Sequence, residues 1–228
     1  MTAAEPSADP RHEAALRPAS IAEAVRAFAA APDLLPVAGG TDLMVADRLA
    51  RSARRRVLDL GAIPELGGIR EIPGGLEIGA GVSFDEIGRH PEVRRRFPAL
   101  AAAAAEVGGW QIQTRATLGG NAANASPAGD SLPVLLALEA VAVLAGPDGE
   151  RELPYDRFHV AYRETALLPG ELIVRFRLPD PPPGSRQAFR KVGTRKAQAI
   201  SKLVVAGVGT VGGDGSSRSP SGPARTAT

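Results

Sequence analysis

PVAGGTDLM (residues 36–44) and TLGGNAANASPAGD (residues 117–130) are the two stretches that decide how this 228-residue chain is read. Each leaves an apolar segment, passes a Gly-Gly pair, continues into small residues with hydroxyl or amide side chains, and reaches an Asp. Glycine tolerates positive φ, and without a Cβ the main-chain N–H groups can close on anionic oxygens. Thr, Asn and Ser add neutral donors. Two loops of this kind suit the two phosphates of a dinucleotide better than a mononucleotide.

The common nucleotide motifs do not account for them. No Gly-x4-Gly-Lys-Ser/Thr occurs, which excludes a P-loop. A Gly-x-Gly-x-x-Gly stands at Gly207, Gly209 and Gly212, but no helix pattern or acidic residue about 20 positions on follows it. In GAGVSF (residues 79–84), Phe84 occupies the place of the third glycine. The dinucleotide is therefore held in some way other than a Rossmann turn.

Composition narrows the classes further. With 44% hydrophobic residues the chain can bury a sizeable core in one large or two small domains. Lys plus Arg number 27 against 25 Asp plus Glu, a net charge of +2, and the basic runs at 54–56 and 94–96 lack interleaved aromatics. These runs read as solvated surface, and no nucleic-acid partner is expected. The absence of cysteine removes disulfides, a thiolate nucleophile and Cys-ligated iron–sulfur or zinc sites from this chain. His12, His90 and His159 have no metal-ligand spacing. No signal peptide and no membrane-length apolar run is read, so a cytoplasmic protein is expected.

Helix and strand patterns alternate along the chain. Ser20 and Glu23 form a capping box before a helical stripe that Pro32 closes. Strands are expected at 34–37 and 57–60, with a short helix headed by Asp42 between them. A turn at 73–75 opens a second region with a strand at 76–80, a capping box at Ser83 and Glu86, and an Ala-rich helix at 99–107 ended by Gly108 and Gly109. A helix near 131–138 and strands at 141–144 and 172–178 follow, then a proline-rich connector at 179–184. Order restarts at 188–206, and the low-apolar stretch 212–228 is predicted to be a disordered tail.

With the two glycine stretches and KVGTRKAQAISK (residues 191–202) in this order, the sequence resembles the FAD-binding (medium) subunit of molybdenum hydroxylases, the family of xanthine dehydrogenase and aerobic carbon monoxide dehydrogenase flavoproteins. The resemblance implies an α+β fold. A PCMH-type FAD-binding domain of two subdomains would span about 14–180, divided into 14–70 and 71–180. An incomplete C-terminal α+β domain would begin at 185–211, where the family carries one of roughly a hundred residues.

The resemblance also implies site residues. Pro36, Val37, Ala38, Gly39, Gly40, Thr41, Asp42 and Leu43 would form the first FAD-contacting loop, with Gly39, Gly40 and Thr41 on the pyrophosphate and Leu43 toward the flavin ring. Thr117, Leu118, Gly119, Gly120 and Asn121 would form the second loop, again on the phosphates. Asn124, Ser126 and Asp130 would extend that wall. Asp130 would bond a cofactor hydroxyl or order the loop, and as an N-cap residue type it could equally cap the helix after Ser131. Ile173 would pack against the isoalloxazine, Val107 would contribute a packing contact at a helix end, and Lys191 would bring positive charge to the flavin N1 and O2 edge.

The implied role is electron relay. A molybdenum-cofactor subunit oxidises the substrate, a partner with [2Fe-2S] clusters carries electrons, and the FAD passes them to NAD or another acceptor. A stand-alone flavoprotein oxidoreductase and a truncated, non-catalytic fragment of the flavin subunit are the alternative readings. On the glycine loops alone, Gly40→Val and Gly119→Val are expected to abolish FAD binding and leave secondary structure intact.

Overall fold

The computed structural model describes residues 15–50, 56–195, 198–211 and 217–218. Helix α1 (Ile21–Ala30) starts where Ser20 Oγ accepts the Glu23 amide at 3.2 Å. The reciprocal carboxylate bond goes to the Ala19 amide, 2.8 Å away, so the predicted capping box closes one residue early. Strand β1 (Leu35–Val37) pairs in parallel with β2 (Val57–Asp59), and a parallel pair needs a crossover, here containing helix α2 (Thr41–Ala50). The first glycine stretch is the turn from β1 into α2. The basic run at 54–56 lies, except for Arg56, outside the described residues.

The second region is built on a five-stranded antiparallel sheet. Strands β3 (Ile69–Ile72) and β4 (Gly75–Gly79) form a hairpin whose turn places Gly74 at φ +74°. Five helices and a sixth short one follow: α3 (Phe84–Arg89), α4 (Pro91–Arg96), α5 (Pro98–Glu106), α6 (Trp110–Gln113), α7 (Leu118–Asn124) and α8 (Leu132–Ala137). Ser83 and Glu86 complete the predicted capping box at the start of α3. The sheet then continues with β5 (Val141–Gly146) and β6 (Gly149–Pro154), and after the small hairpin β7 (His159–Ala161) and β8 (Glu164–Thr165) it receives β9 (Leu172–Pro179) at its centre. Its order is β3-β4-β9-β5-β6.

One face of this sheet is core. Leu76, Ile78, Leu144, Phe176 and Leu178 are completely buried there, and full burial of each such side chain contributes roughly 1.5–3 kcal/mol. Glu77 on β4 meets Arg175 and Arg177 on β9 at 3.2 and 3.1 Å, and Glu150 and Glu152 of β6 pair with the same two arginines. Cross-strand pairs of opposite charge favour this register.

Buried Glu171 closes the loop before β9. It accepts from Arg151 Nε at 2.6 Å, Arg151 Nη2 at 2.7 Å and the Leu168 amide at 2.7 Å. The Arg151 guanidinium holds its carboxyl below the usual range, against the opposing effect of burial. A depressed folded-state pKa contributes stability above the ordinary carboxylate pKa of about 4.3 and loses it as pH falls through the folded value. Glu171→Gln is expected to cost about 1.5–3 kcal/mol at neutral pH and to flatten the acid limb of stability. Urea titrations at pH 7 and at acid pH check this, and an equal loss at both would contradict it.

The third unit is a hairpin of β10 (Arg186–Gly193) and β11 (Ser201–Val211), the end of which also pairs with β12 (Ser217–Arg218). Those two residues are the part of the predicted tail that falls among the described residues. Gln187 fixes the hairpin by donating to the Arg96 carbonyl at 2.6 Å, while Arg96 Nε donates to Asp180 Oδ1 of the connector at 2.7 Å. Phe189, Ala206 and Val208 face inward, toward α5 and α8. Alternation puts Val192, Leu203 and Val205 on the other face, 47, 46 and 48% exposed, with Ile200 at 80%.

Apolar sheet faces of this kind drive association. The chain is therefore expected to self-associate with rising concentration, and Leu203→Lys to shift it toward monomer. Light scattering reads both, and a monodisperse wild-type monomer at high concentration would contradict the expectation. Among the described residues no helix is long and apolar enough to cross a membrane.

Candidate functional site

The first glycine stretch begins where Leu60 donates to the Val37 carbonyl at 2.8 Å and β1 ends. Gly40 adopts φ +71°, and its carbonyl accepts the Met44 amide at 3.0 Å as the first bond of α2. Among the described residues, none of the amides from Ala38 to Leu43 donates a hydrogen bond within the chain. Six successive amides without a partner among the described residues, opening a helix of 10 residues, make a turn that could hold an anion, with the positive end of the helix dipole behind it. Gly39 lies directly on the backbone of Arg115 and Ala116: a Cβ there would overlap the Arg115 carbonyl and come within 3.1 Å of Ala116 Cα.

The second stretch has a different character. Residues 118–124 are helix α7 rather than a loop, capped by Thr117, whose Oγ1 accepts the Gly120 amide at 3.1 Å. The Leu118 and Gly119 amides donate to the carbonyls of Val82 and Ala80 at 3.1 and 2.8 Å, and the Asn121 amide to the Thr117 carbonyl at 3.0 Å. These four amides are all engaged within the chain. Gly119 is a packing glycine as well, since a Cβ would stand 2.6 Å from Ala80 Cβ. The expectation that Gly119→Val leaves the fold intact is therefore replaced: the substitution forces α7 off Ala80, the residue that follows β4.

Side chains join the two stretches. Asn124 Nδ2 donates to Asp42 Oδ2 at 2.7 Å. Asn121 Oδ1 accepts from the buried Ser131 hydroxyl at 2.7 Å, and Ser126 Oγ accepts the Ala128 amide at 3.3 Å in a local turn.

Asp130 does not cap α8, whose N-cap residue is Ser131 and which has no side-chain cap bond. Its Oδ2 lies 2.7 Å from Lys191 Nζ, which also donates to the Glu106 carbonyl at 2.8 Å. Both side chains are over nine-tenths buried. The carbonyl end of α5 is a favourable place for a cation. Burial pushes the Asp130 carboxyl above its usual range, and the hydrogen bond and charge of Lys191 offset part of that rise. Asp130 Oδ1 is buried without a partner, and Lys191 retains a third N–H, so an acceptor and a donor stand side by side. Val107, buried, is the C-cap of α5 and follows Glu106, whose carbonyl Lys191 reaches, and Ile173, 7% exposed, sits in the central strand β9 opposite Leu144.

Several contacts carry no local sequence signal. Gln198, at φ +50°, donates its amide to the Gly108 carbonyl at 3.2 Å and lays its side chain where a Cβ of Gly109 would be, 2.6 Å from Nε2. Ser201 Oγ donates to the Ala128 carbonyl at 3.2 Å. The Gly108-Gly109 pair is thus a seat for the hairpin as well as a helix stop. Trp110 is 63% exposed. Tyr155, stacked on Phe158 and bonded through its hydroxyl to His159 Nε2 at 3.0 Å, belongs to the core, where burial raises the phenol pKa and lowers that of the imidazole. Among the described residues no group of His, Asp and Glu could hold a metal ion.

Residues 11–181 match the family model described as the FAD binding domain in molybdopterin dehydrogenase. The chain belongs to this family. Within it, the FAD-binding chain is 32% identical over 191 residues to the xanthine dehydrogenase FAD-binding subunit of Escherichia coli O157:H7, covering 82% of this chain and 65% of the relative. It is 34% identical over 176 residues to the carbon monoxide dehydrogenase medium chain of Hydrogenophaga pseudoflava, covering 77% and 61%. Among solved structures, the Cu,Mo-CO dehydrogenase in its cyanide-inactivated form superposes with a TM-score of 0.83 at 31% identity, covering 87% of this chain and 69% of that one. Quinoline 2-oxidoreductase from Pseudomonas putida 86 gives 0.79 at 27%, covering 83% and 66%. The α+β fold and the FAD cofactor read from the sequence agree with these findings. The FAD-binding chain spans less than two thirds of the length of the two sequence relatives.

Proposed function

We propose that the chain is the FAD-binding subunit of a molybdenum hydroxylase complex, an oxidoreductase subunit standing between the iron–sulfur clusters of one partner and NAD or another acceptor. A molybdenum-cofactor subunit and a [2Fe-2S] subunit are the partners in this reading, and the cytoplasm its place. The observation that carries it is the run of six uncommitted amides at Ala38–Leu43 in a chain of this family. The lack of cysteine supports the division of labour, because cluster ligands cannot then come from these residues.

The residues present fit the cofactor. The amides around Gly39, Gly40 and Thr41 would hold the pyrophosphate, with Gly40 supplying the left-handed turn that aims them. Leu118, Gly119 and Gly120 would serve mainly by mounting this turn, since their amides are engaged, Thr117 would serve by capping α7 through its Oγ1, and Asn121 would add a side-chain donor. Asp130 Oδ1 would accept from a cofactor hydroxyl or N–H, and Lys191, oriented by Asp130 and the Glu106 carbonyl, would set positive charge at the flavin edge. When bound, FAD supplies the exchange between single-electron and two-electron carriers. Ile173, Val107 and Leu43 would exclude water from the ring.

The test is metal and flavin analysis of the complex recovered through an affinity tag on the intact chain. FAD, molybdenum and iron co-eluting in fixed ratio are expected. A tagged chain that carries FAD and active-site turnover without molybdenum or iron would overturn the subunit reading in favour of a stand-alone flavoprotein.

A further inference from the structure

The anion-holding turn at Ala38–Leu43 contains a negative charge of its own, the carboxylate of Asp42 in the first turn of α2. An anion bound at these amides would be repelled by it at short range. Asp42 is exposed, and its Oδ2 is taken at 2.7 Å by Nδ2 of half-buried Asn124, the last residue of α7. Asn124 is 82 residues away in sequence. The backbone after it turns sharply, with Ala125 at φ +48° and its amide on the Ala122 carbonyl at 3.1 Å, so the end of α7 is a fixed post. The start of α7 is equally fixed by the Val82 and Ala80 carbonyls.

We infer that Asn124 is a positioning residue: it latches the Asp42 carboxylate to the end of α7, which sets the orientation of the α2 amides and ties up the one negative charge within them. This rests on the FAD reading above, and it gives Asp42 and Asn124 a role toward each other instead of a direct bond to the cofactor. Gly39 on the Arg115 carbonyl fixes the other side of the same turn. The latch is a single charge-assisted bond, of a strength that corresponds to about tenfold in affinity when partly exposed to water.

The experiment is a reciprocal exchange, read by FAD titration and by hydrogen exchange of the hydrogen-bonded α2 amides from Met44 onward in the FAD-free chain. Asn124→Ala is expected to weaken FAD binding about tenfold and to speed exchange at those amides. Asn124→Asp, which sets two carboxylates together, is expected to do more. Asp42→Asn alone keeps an acceptor for Asn124 but loses the charge assistance, and it is expected to speed exchange at those amides less than Asn124→Ala does. The double variant Asp42→Asn/Asn124→Asp restores a donor opposite a carboxylate, and recovery to within about threefold of wild type is expected.

A double variant no better than Asn124→Asp, or an Asn124→Ala chain with unchanged exchange and affinity, would overturn the latch. A wild-type chain that takes no FAD would instead remove the cofactor reading. The exchange rates of the same variants would then decide alone whether Asn124 holds the turn, unchanged rates refuting it.

Discussion

Gly39→Ala is expected to unfold or strip the site more severely than any other single methyl added to the glycine stretches. The added carbon would overlap the Arg115 carbonyl, a backbone atom that cannot rotate aside, with Ala116 Cα 3.1 Å behind it. Overpacking costs typically 1–3 kcal/mol where side chains can adjust, and here the cost should reach about 3 kcal/mol, because α2 must lift from the 115–117 backbone. FAD affinity should fall with it, by on the order of a hundredfold, since a shift of that size corresponds to roughly 2.7 kcal/mol. Gly40→Ala makes the useful contrast. At φ +71° its penalty is conformational, about 1–2 kcal/mol, and the space around it is open except for Val37 Cγ1 at 3.4 Å. Urea unfolding and flavin titration of both variants check the order, and a Gly40→Ala variant hit harder than Gly39→Ala would contradict the packing described.

The second large effect is expected from Lys191→Met. It leaves Asp130 buried beside no cation, and removal of one partner from a buried pair costs about 3–5 kcal/mol. Burial already raises the Asp130 carboxyl above its usual range, and loss of the ammonium removes the opposing influence, so the variant carboxyl rises further. A group whose folded-state pKa is raised binds its proton more readily in the folded chain. Stability is therefore regained as pH falls toward the ordinary Asp value near 3.9, and is lost as pH rises through the raised one. Lys191→Met should consequently be weakest at neutral pH and recover on acidification, and the added change Asp130→Asn should rescue it at neutral pH. Thermal unfolding across pH measures this. A Lys191→Met variant with the same deficit at every pH, and no rescue by Asp130→Asn, would show that the pair does not carry the stability assigned to it.

The two expectations rest on features of unequal legibility in the sequence. Gly40 announces itself, because Gly-Gly-Thr-Asp after a strand is a turn into a helix, and the structure makes that turn. Ser83 with Glu86 and the proline connector are likewise local signals with local causes. The nature of the second glycine stretch was not legible. Gly119 and Gly120 are poor helix formers, and only the carbonyls of Ala80 and Val82, far back in the chain, make a helix of them.

Strand β6 was missed because its sequence, GERELP, is an edge strand whose side chains serve the charge ladder instead of the core. Strands β7 and β8 are three and two residues long, below any periodic signal. The pairing of Asp130 with Lys191 spans 61 positions and that of Asn124 with Asp42 spans 82, distances at which no spacing rule operates. The residues of the site were named from the family resemblance. Their partners came from the fold.

The central claim is that the turn at Ala38–Leu43 holds the pyrophosphate of FAD. It is tested most directly by titrating the flavin-free chain in parallel with FAD and with FMN, which carries the same ring and ribityl phosphate but no pyrophosphate bridge to adenosine. One FAD per chain, bound at least a hundredfold more tightly than FMN, is the result the account requires. Equal affinity for the two, or a folded chain that takes up neither, would contradict it.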